Sequence, residues 1–196
     1  MYLIGGQVMV LHILSRYAFD LKGSKIDEKL QHISQFTQST IIELRDTIWA
    51  MNQAEISFED LRTRIYNFIE KARLARQDIS FSFEIDATLR ELKVTSVQGM
   101  NIYRSIQEAV NNAIKHSRAS HVEVAIKRED DDVEIVITDN GVGFDQATIH
   151  DGNGLGNIKK RITDIGGAVT VQSSPAGVRL QISIGGLMQR LKNQSL

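Results

Sequence analysis

The stretch QEAVNNAIKHS, residues 107–117, decides how the rest of this chain is read. Glu108 and Asn112 are four residues apart and Lys115 is three beyond Asn112, so on a helix a carboxylate, an amide oxygen and an ammonium share one face. Ile106, Ala109, Ala113 and Ile114 can then face a core. Mg²⁺ takes hard oxygen ligands and usually keeps waters that a nearby carboxylate can orient, so such a face suits a magnesium-nucleotide site. Taken singly, the same residues also describe a solvated helix face with ion pairing.

Two glycine-bearing loops follow. DNGVGFD (139–145) comes directly after the strand-like VEIVIT (133–138). Asp139 at a strand end can accept a hydrogen bond from an exocyclic amine, while Gly141 and Gly143 let the backbone approach a flat base. Alone, Asp-Asn-Gly is a turn signal. GNGLGN (152–157) opens a predicted helix, setting backbone N–H groups and a helix N-terminus against an anion. It does not match the Walker A pattern, which needs Lys-Ser or Lys-Thr directly after the final glycine. In order along one segment, the three supply metal ligands, base recognition and phosphate binding.

Around them, FSFEI (81–85) reads as a strand and Val97 to His116 as a helix. His121 to Lys127 and Val133 to Thr138 alternate apolar with polar residues around an acidic turn, Glu129 to Asp132. A helix near Leu155 to Ile165 precedes the strands AVTVQS and VRLQISI, linked by a turn at Ser174 to Gly177. This order predicts an α+β sandwich, a mixed sheet covered on one face by helices. Ahead of it, Ser57 with Asp60 forms a capping-box start to a helix carrying Phe58, Leu61, Ile65, Phe68, Ala72 and Ala75.

The N-terminal quarter differs. Ile4, Val8, Leu11, Leu14, Ala18 and Leu21 recur every three or four residues, as do Leu30, Ile33, Ile41, Leu44, Ile48 and Met51 with Thr37 as a weak member. Two amphipathic helices are expected, joined near Lys22 to Asp27. Each leaves an apolar face unburied, which a second copy would cover by closing a four-helix bundle. A homodimer is therefore expected, with residues 1–54 as an all-α two-helix dimerisation segment and 55–196 as the α+β domain.

Composition narrows the classes. The chain has 196 residues, 42% hydrophobic and 24% charged, as in an ordinary globular protein. Lys and Arg (23) balance Asp and Glu (24), leaving no broad electrostatic attraction to nucleic acid or an anionic membrane. No cysteine is present, which removes thiolate chemistry and fits a cytoplasmic location. The apolar opening MYLIGGQVMVLHIL meets Arg16 and Asp20 too soon for the roughly 20 residues that span a bilayer.

The three motifs together resemble the ATPase domain shared by histidine kinases, gyrase-type topoisomerases, Hsp90-type chaperones and mismatch-repair ATPases. Glu108 and Asn112 match its N box, DNGVG its first glycine box and GNGLG its second. With ELRDTIWAMN (43–52) upstream, the chain is similar to sensor histidine kinases, nearest the nitrate-sensor-like class, in which KHS or KHA ends the N box and a helix like NIKKRI follows the second glycine box.

The resemblance implies ATP and Mg²⁺ as cofactors. Asn112 would ligand Mg²⁺, Glu108 would orient a metal-bound water, and Asp139 would bind the adenine amino group. Lys115 and His116 would sit near the phosphates, with Gly141 and Gly143 beside the base. The loop Gly152 to Gly156, with Gly154 and Leu155, would cover the nucleotide. Where the family often carries Gly-Thr-Thr, this chain has Gly177, Val178 and Arg179 and does not match the family's threonine contact near adenine.

Such kinases phosphorylate a helix-1 histidine followed by an acidic residue and, a few positions on, a Gly-x-Gln-like segment. Ile4 to Gln7 match that segment, which places the expected pair at or just before Met1 and Tyr2, where none stands. The expectation is a chain that begins at or just after its phosphoacceptor, either truncated or degenerate. Of the five histidines, His12 is the candidate acceptor that remains. His32 sits on a polar helix turn, His116 belongs to the N box, His121 opens a strand, and His150 precedes Asp151 inside the covering loop.

The expected function is the cytoplasmic core of a two-component sensor histidine kinase. It would transfer the γ-phosphoryl of ATP to a histidine and relay it to an aspartate on a separate response regulator, the whole protein being linked to the inner membrane upstream. A hydrolytic ATPase clamp and a non-catalytic dimeric pseudokinase scaffold are the alternatives.

Overall fold

In a computed structural model of the chain, the described residues are 54–145 and 154–187, together with Ile26, Lys29, Leu30, Ile33, Ser34 and Thr37. The chain divides into two units, Met1–Trp49 and Ala50–Leu196. In the first, the six described residues are helical; Leu30, Ile33 and Thr37 belong to the second expected pattern, and Ile26, expected in the joint, is helical too. Thr37 Oγ1 donates to the Ile33 carbonyl at 2.8 Å, and Leu30 and Ile33 are 54% and 62% exposed. The first amphipathic pattern, the Gly5 to Gln7 segment, His12, His32, ELRDTIWAMN, His150 and Gly152 lie outside the described residues.

The second unit begins with two helices started by reciprocal caps. β1 (Glu55–Ser57) runs into α1 (Phe58–Ala75), where Ser57 Oγ accepts from Asp60 N at 3.1 Å and Asp60 caps the Ser57 amide in return. β3 (Lys93–Thr95) runs into α2 (Ser96–Asn112), where Thr95 and Gln98 make the same exchange at 3.2 and 3.1 Å. Each box satisfies two N–H groups that a helix start otherwise leaves open. β1 and β3 pair antiparallel, bringing the two starts side by side. Between them lie β2 (Ser80–Ile85) and a short 3₁₀ turn, Ala87–Leu89.

The main sheet is mixed, as expected. It comprises β2, β4 (His121–Glu129), β5 (Asp132–Asp139), β6 (Gly167–Ser174) and β7 (Gly177–Ile184), in the order β2-β4-β5-β7-β6. β2 and β4 are parallel, which a crossover through α2 permits, and the other pairs are antiparallel.

Alternation decides which face is covered. Val122, Val124 and Ile126 of β4, Val133, Ile135 and Ile137 of β5, and Leu180, Ile182 and Ile184 of β7 are each 4% exposed or less. They meet Phe58, Leu61 and Ile65 of α1, Ile102, Ile106 and Val110 of α2, and Ile158 and Ile162 of α3 (Gly154–Thr163) in one core. The opposite face mixes buried Ala125 and Val136 with polar pairs: Thr138 bonds Glu123 across β4–β5, and Gln181 bonds Glu134 across β5–β7. A one-residue register slip would exchange these faces, so the core holds the register that carries Asp139 to the sheet's end.

Candidate functional site

The site forms where α2 ends above the C-terminal end of β5. α2 does not continue regularly to His116 but changes to a π turn over Ala113–Ser117, ending at Arg118 with φ 54°. The π turn alters the angular step between residues. Asn112 and His116 line the cavity, whereas Lys115, expected on the face of Glu108 and Asn112, is exposed and does not line it. Arg76, at the end of α1, donates to the Ile114 carbonyl at 3.1 Å and holds the turn from outside.

Ser117 organises the space behind this turn. Its buried hydroxyl donates to the Ala113 carbonyl at 2.7 Å and accepts from Ala119 N at 3.0 Å. Its own carbonyl accepts from Val142 N at 2.8 Å. A Cβ on Gly141 would collide with that carbonyl, so this position takes glycine for lack of room. The loop is also tied to β4, because Asn140 Oδ1 accepts from Ser120 N and His121 N at 3.0 and 2.9 Å.

Asp139 is half-buried at the strand end. One carboxylate oxygen accepts from Gly141 N at 2.9 Å, and no other described residue bonds the carboxylate. Gly143 has φ +63°, and a Cβ there would strike the Ser174 carbonyl. Gly177, φ +127°, lies against the Asp139 carbonyl in the same way. The β6–β7 turn, read from sequence only as a turn, is thus the floor on which the first glycine loop rests.

These elements enclose a cavity of about 330 Å³. Ala109, Ala113, Ile137, Val178 and Leu180 give it apolar walls, with the Asp139 carboxylate among them. This combination suits a flat heteroaromatic ring bearing an amino donor. Phe144 and Gly143 line it from the loop, and Gly154 and Leu155 from the start of α3. Gly156 has open space around it.

The other end is polar. A Cβ at Gly154 would stand 2.8 Å from Glu108 Oε1, 2.7 Å from Asn112 Nδ2 and 3.3 Å from Asn112 Oδ1, so both side chains converge beside the first residue of α3. The Glu108 carboxylate and the Asn112 amide, whose oxygen is the farther of its two polar atoms from that point, offer hard oxygens of the kind Mg²⁺ takes, with water and phosphate oxygens completing its shell. They are too few for an all-protein cage, and among the described residues no group of three or more His, Cys, Asp or Glu forms one. An anion there would also meet the N-terminus of α3.

Sequence alone assigned no role to Ser117 or Phe144, quoted only within motifs, nor to Ile137, Ser173 or Leu180, and Val178 entered only where the family's Gly-Thr-Thr run is missing. Their nearest signal was Gly177 inside a strand-turn-strand pattern, since an isolated glycine there often marks close backbone approach.

Residues 98–185 match the family model described as histidine kinase-, DNA gyrase B-, and HSP90-like ATPase. The chain is 28% identical over 163 residues to an uncharacterized sensor-like histidine kinase of Chloroflexus aurantiacus, covering 80% of this chain and 27% of that protein. It is 26% identical over 172 residues to the signal transduction histidine-protein kinase/phosphatase UhpB of Salmonella typhimurium, covering 88% and 33%. It therefore spans about a third or less of each relative's length. Its fold is similar to the histidine kinase domain of the Erythrobacter litoralis EL346 blue-light activated histidine kinase, with a TM-score of 0.58 and 18% identity over 67% of this chain and 63% of that one.

Proposed function

We propose that this chain, whose residues 98–185 match the histidine kinase-, DNA gyrase B-, and HSP90-like ATPase family model, is the catalytic part of a sensor histidine kinase and binds Mg-ATP in the cavity between α2, β5 and α3. One observation carries the reading: the cavity holds the Asp139 carboxylate among apolar walls, and on its Gly154 side the Asn112 amide, with the neighbouring Glu108 carboxylate, stands beside a helix N-terminus. Base and triphosphate need those two environments at the two ends of one ligand.

Asp139 accepts the adenine amino hydrogen while its Gly141 bond fixes the carboxylate's orientation. Ile137, Val178 and Leu180 exclude water around the ring, which strengthens that hydrogen bond. Asn112 and Glu108 would hold Mg²⁺, which when bound neutralises phosphate charge. His116 and the N–H groups of α3 face the phosphates, and Gly154 lets α3 approach them. The reaction is in-line attack of an imidazole nitrogen on the γ-phosphorus: the N–P bond forms, the bridging O–P bond breaks, and ADP leaves. Catalysis then rests on positioning and charge stabilisation.

The acceptor histidine is assigned to the dimerisation segment of the whole protein, and the final acceptor to an aspartate of a response regulator. Dimerisation through the N-terminal helices is supported by the exposure of Leu30 and Ile33. Among the described residues no helix is long and apolar enough to cross a membrane. Membrane linkage of the whole protein remains part of the proposal.

Full-length protein incubated with Mg²⁺ and γ-labelled ATP should acquire label that is lost in acid and kept in alkali, as a phosphohistidine is. Steady release of inorganic phosphate with no label on protein would favour the hydrolytic clamp instead.

A further inference from the structure

We infer that Ser173 is a positioning residue for the nucleotide cavity, holding the Phe144 wall in place through a two-way hydrogen bond; this rests on the nucleotide reading above. The chain leaves β5 at Asp139, passes the end of β7 and reaches β6. There a single atom meets both backbone polar groups of Phe144: Ser173 Oγ accepts from Phe144 N at 2.7 Å and donates to Phe144 O at 2.7 Å. Phe144 lines the cavity and Ser173 does not. Ser173 thus acts on the ligand through the walls it adjoins: Phe144 by these two bonds, Gly143 beside its hydroxyl, and Val178, its pair across β6–β7.

The bond cannot be replaced by local adjustment. Gly143, one residue earlier, is in the left-handed region with its Cα pressed on the Ser174 carbonyl, so the approach to Phe144 is already fixed. A hydroxyl both donates and accepts, which is the pair of functions one residue's N–H and C=O require together. Alanine does neither, threonine does both, and cysteine does both weakly. Without the bond, Phe144 samples positions other than the cavity wall, and apparent affinity falls with the fraction of time the wall is formed.

Nucleotide affinity separates this role from a merely structural one. The full chain and its variants are titrated with Mg-ATP well below their measured unfolding midpoints. Ser173→Ala should raise the dissociation constant about tenfold. Ser173→Thr should restore it to within about twofold of wild type. Thr170→Ala, at an exposed position of the same strand, should leave affinity unchanged. If Ser173→Ala does not fold, Ser173→Cys takes its place, with a smaller loss in the same direction.

Wild-type affinity in Ser173→Ala or Ser173→Cys, or a Ser173→Thr as weak as Ser173→Ala, would overturn the inference. Failure of the wild-type chain to bind Mg-ATP would overturn the nucleotide reading, and the inference with it.

Discussion

The two ends of β5 use the same turn-forming residue types for opposite purposes. At its start, Asp130 and Asp131 reverse the chain from β4; Asp130 is left-handed at φ 53°, and Arg128 Nε donates to its carbonyl at 3.0 Å. The residues there are mostly exposed, and the turn returns the strand, with Asp132 Oδ1 accepting from Gly186 N at 3.2 Å. At its finish, Asp139, Asn140, Gly141 and Gly143 are pressed between the Ser117 carbonyl and the β6–β7 turn. Asp and Asn side chains bond nearby backbone at both kinds of place. Function therefore depends on whether other backbone closes around the turn, leaving one carboxylate oxygen facing a cavity.

Substitutions at the two ends should separate accordingly. Gly143→Ala is expected to be the most damaging, because it combines a positive φ with a collision against the Ser174 carbonyl. A loss of about 3 kcal/mol in thermal or urea unfolding is expected, together with loss of ATP binding. Asp139→Asn keeps the shape but removes the charged acceptor. ATP affinity should fall about 10- to 100-fold, the worth of a charge-assisted hydrogen bond, with the melting transition little changed.

At the opposite end, Asp130→Gly relieves a left-handed aspartate. Stability should move by less than about 1 kcal/mol, with no change in ATP titrations. A large loss of ATP affinity from this variant would mean that the two ends are coupled and the contrast is wrong.

The smallest effect concerns the outer support of the π turn. Arg76 hydrogen-bonds Asp78 and holds its carboxyl at about 2, below the ordinary 3.8. A depressed folded-state value contributes stability that is present above the unfolded value and lost as pH falls through the folded one. The stability difference between wild type and Asp78→Asn should therefore be constant above about pH 5 and shrink between about pH 4 and pH 2, read from urea unfolding across that range.

Much of the fold was legible because its signals are local. Ser57 and Asp60 announced α1, the alternation in β4, β5 and β7 announced a half-covered sheet, and the order of the boxes placed Asn112 and Asp139 in one site. β1 and β3 were not legible, since three residues each carry no period. Lys115 is exposed in the π turn of Ala113–Ser117, and nothing in AIKHS encodes that turn by periodicity. Ser173 was invisible for another reason. Its partner lies 29 residues away, and only the crossing from β5 to β6 brings them together.

The account is tested most directly by calorimetric titration of the chain with ATP, with and without Mg²⁺, in wild type and in Asn112→Asp. Saturable binding to the wild-type chain, weakened about tenfold or more both by removing Mg²⁺ and by Asn112→Asp, is the result expected of the Glu108 and Asn112 oxygens. Equal affinity with and without Mg²⁺, unchanged by Asn112→Asp, would contradict it.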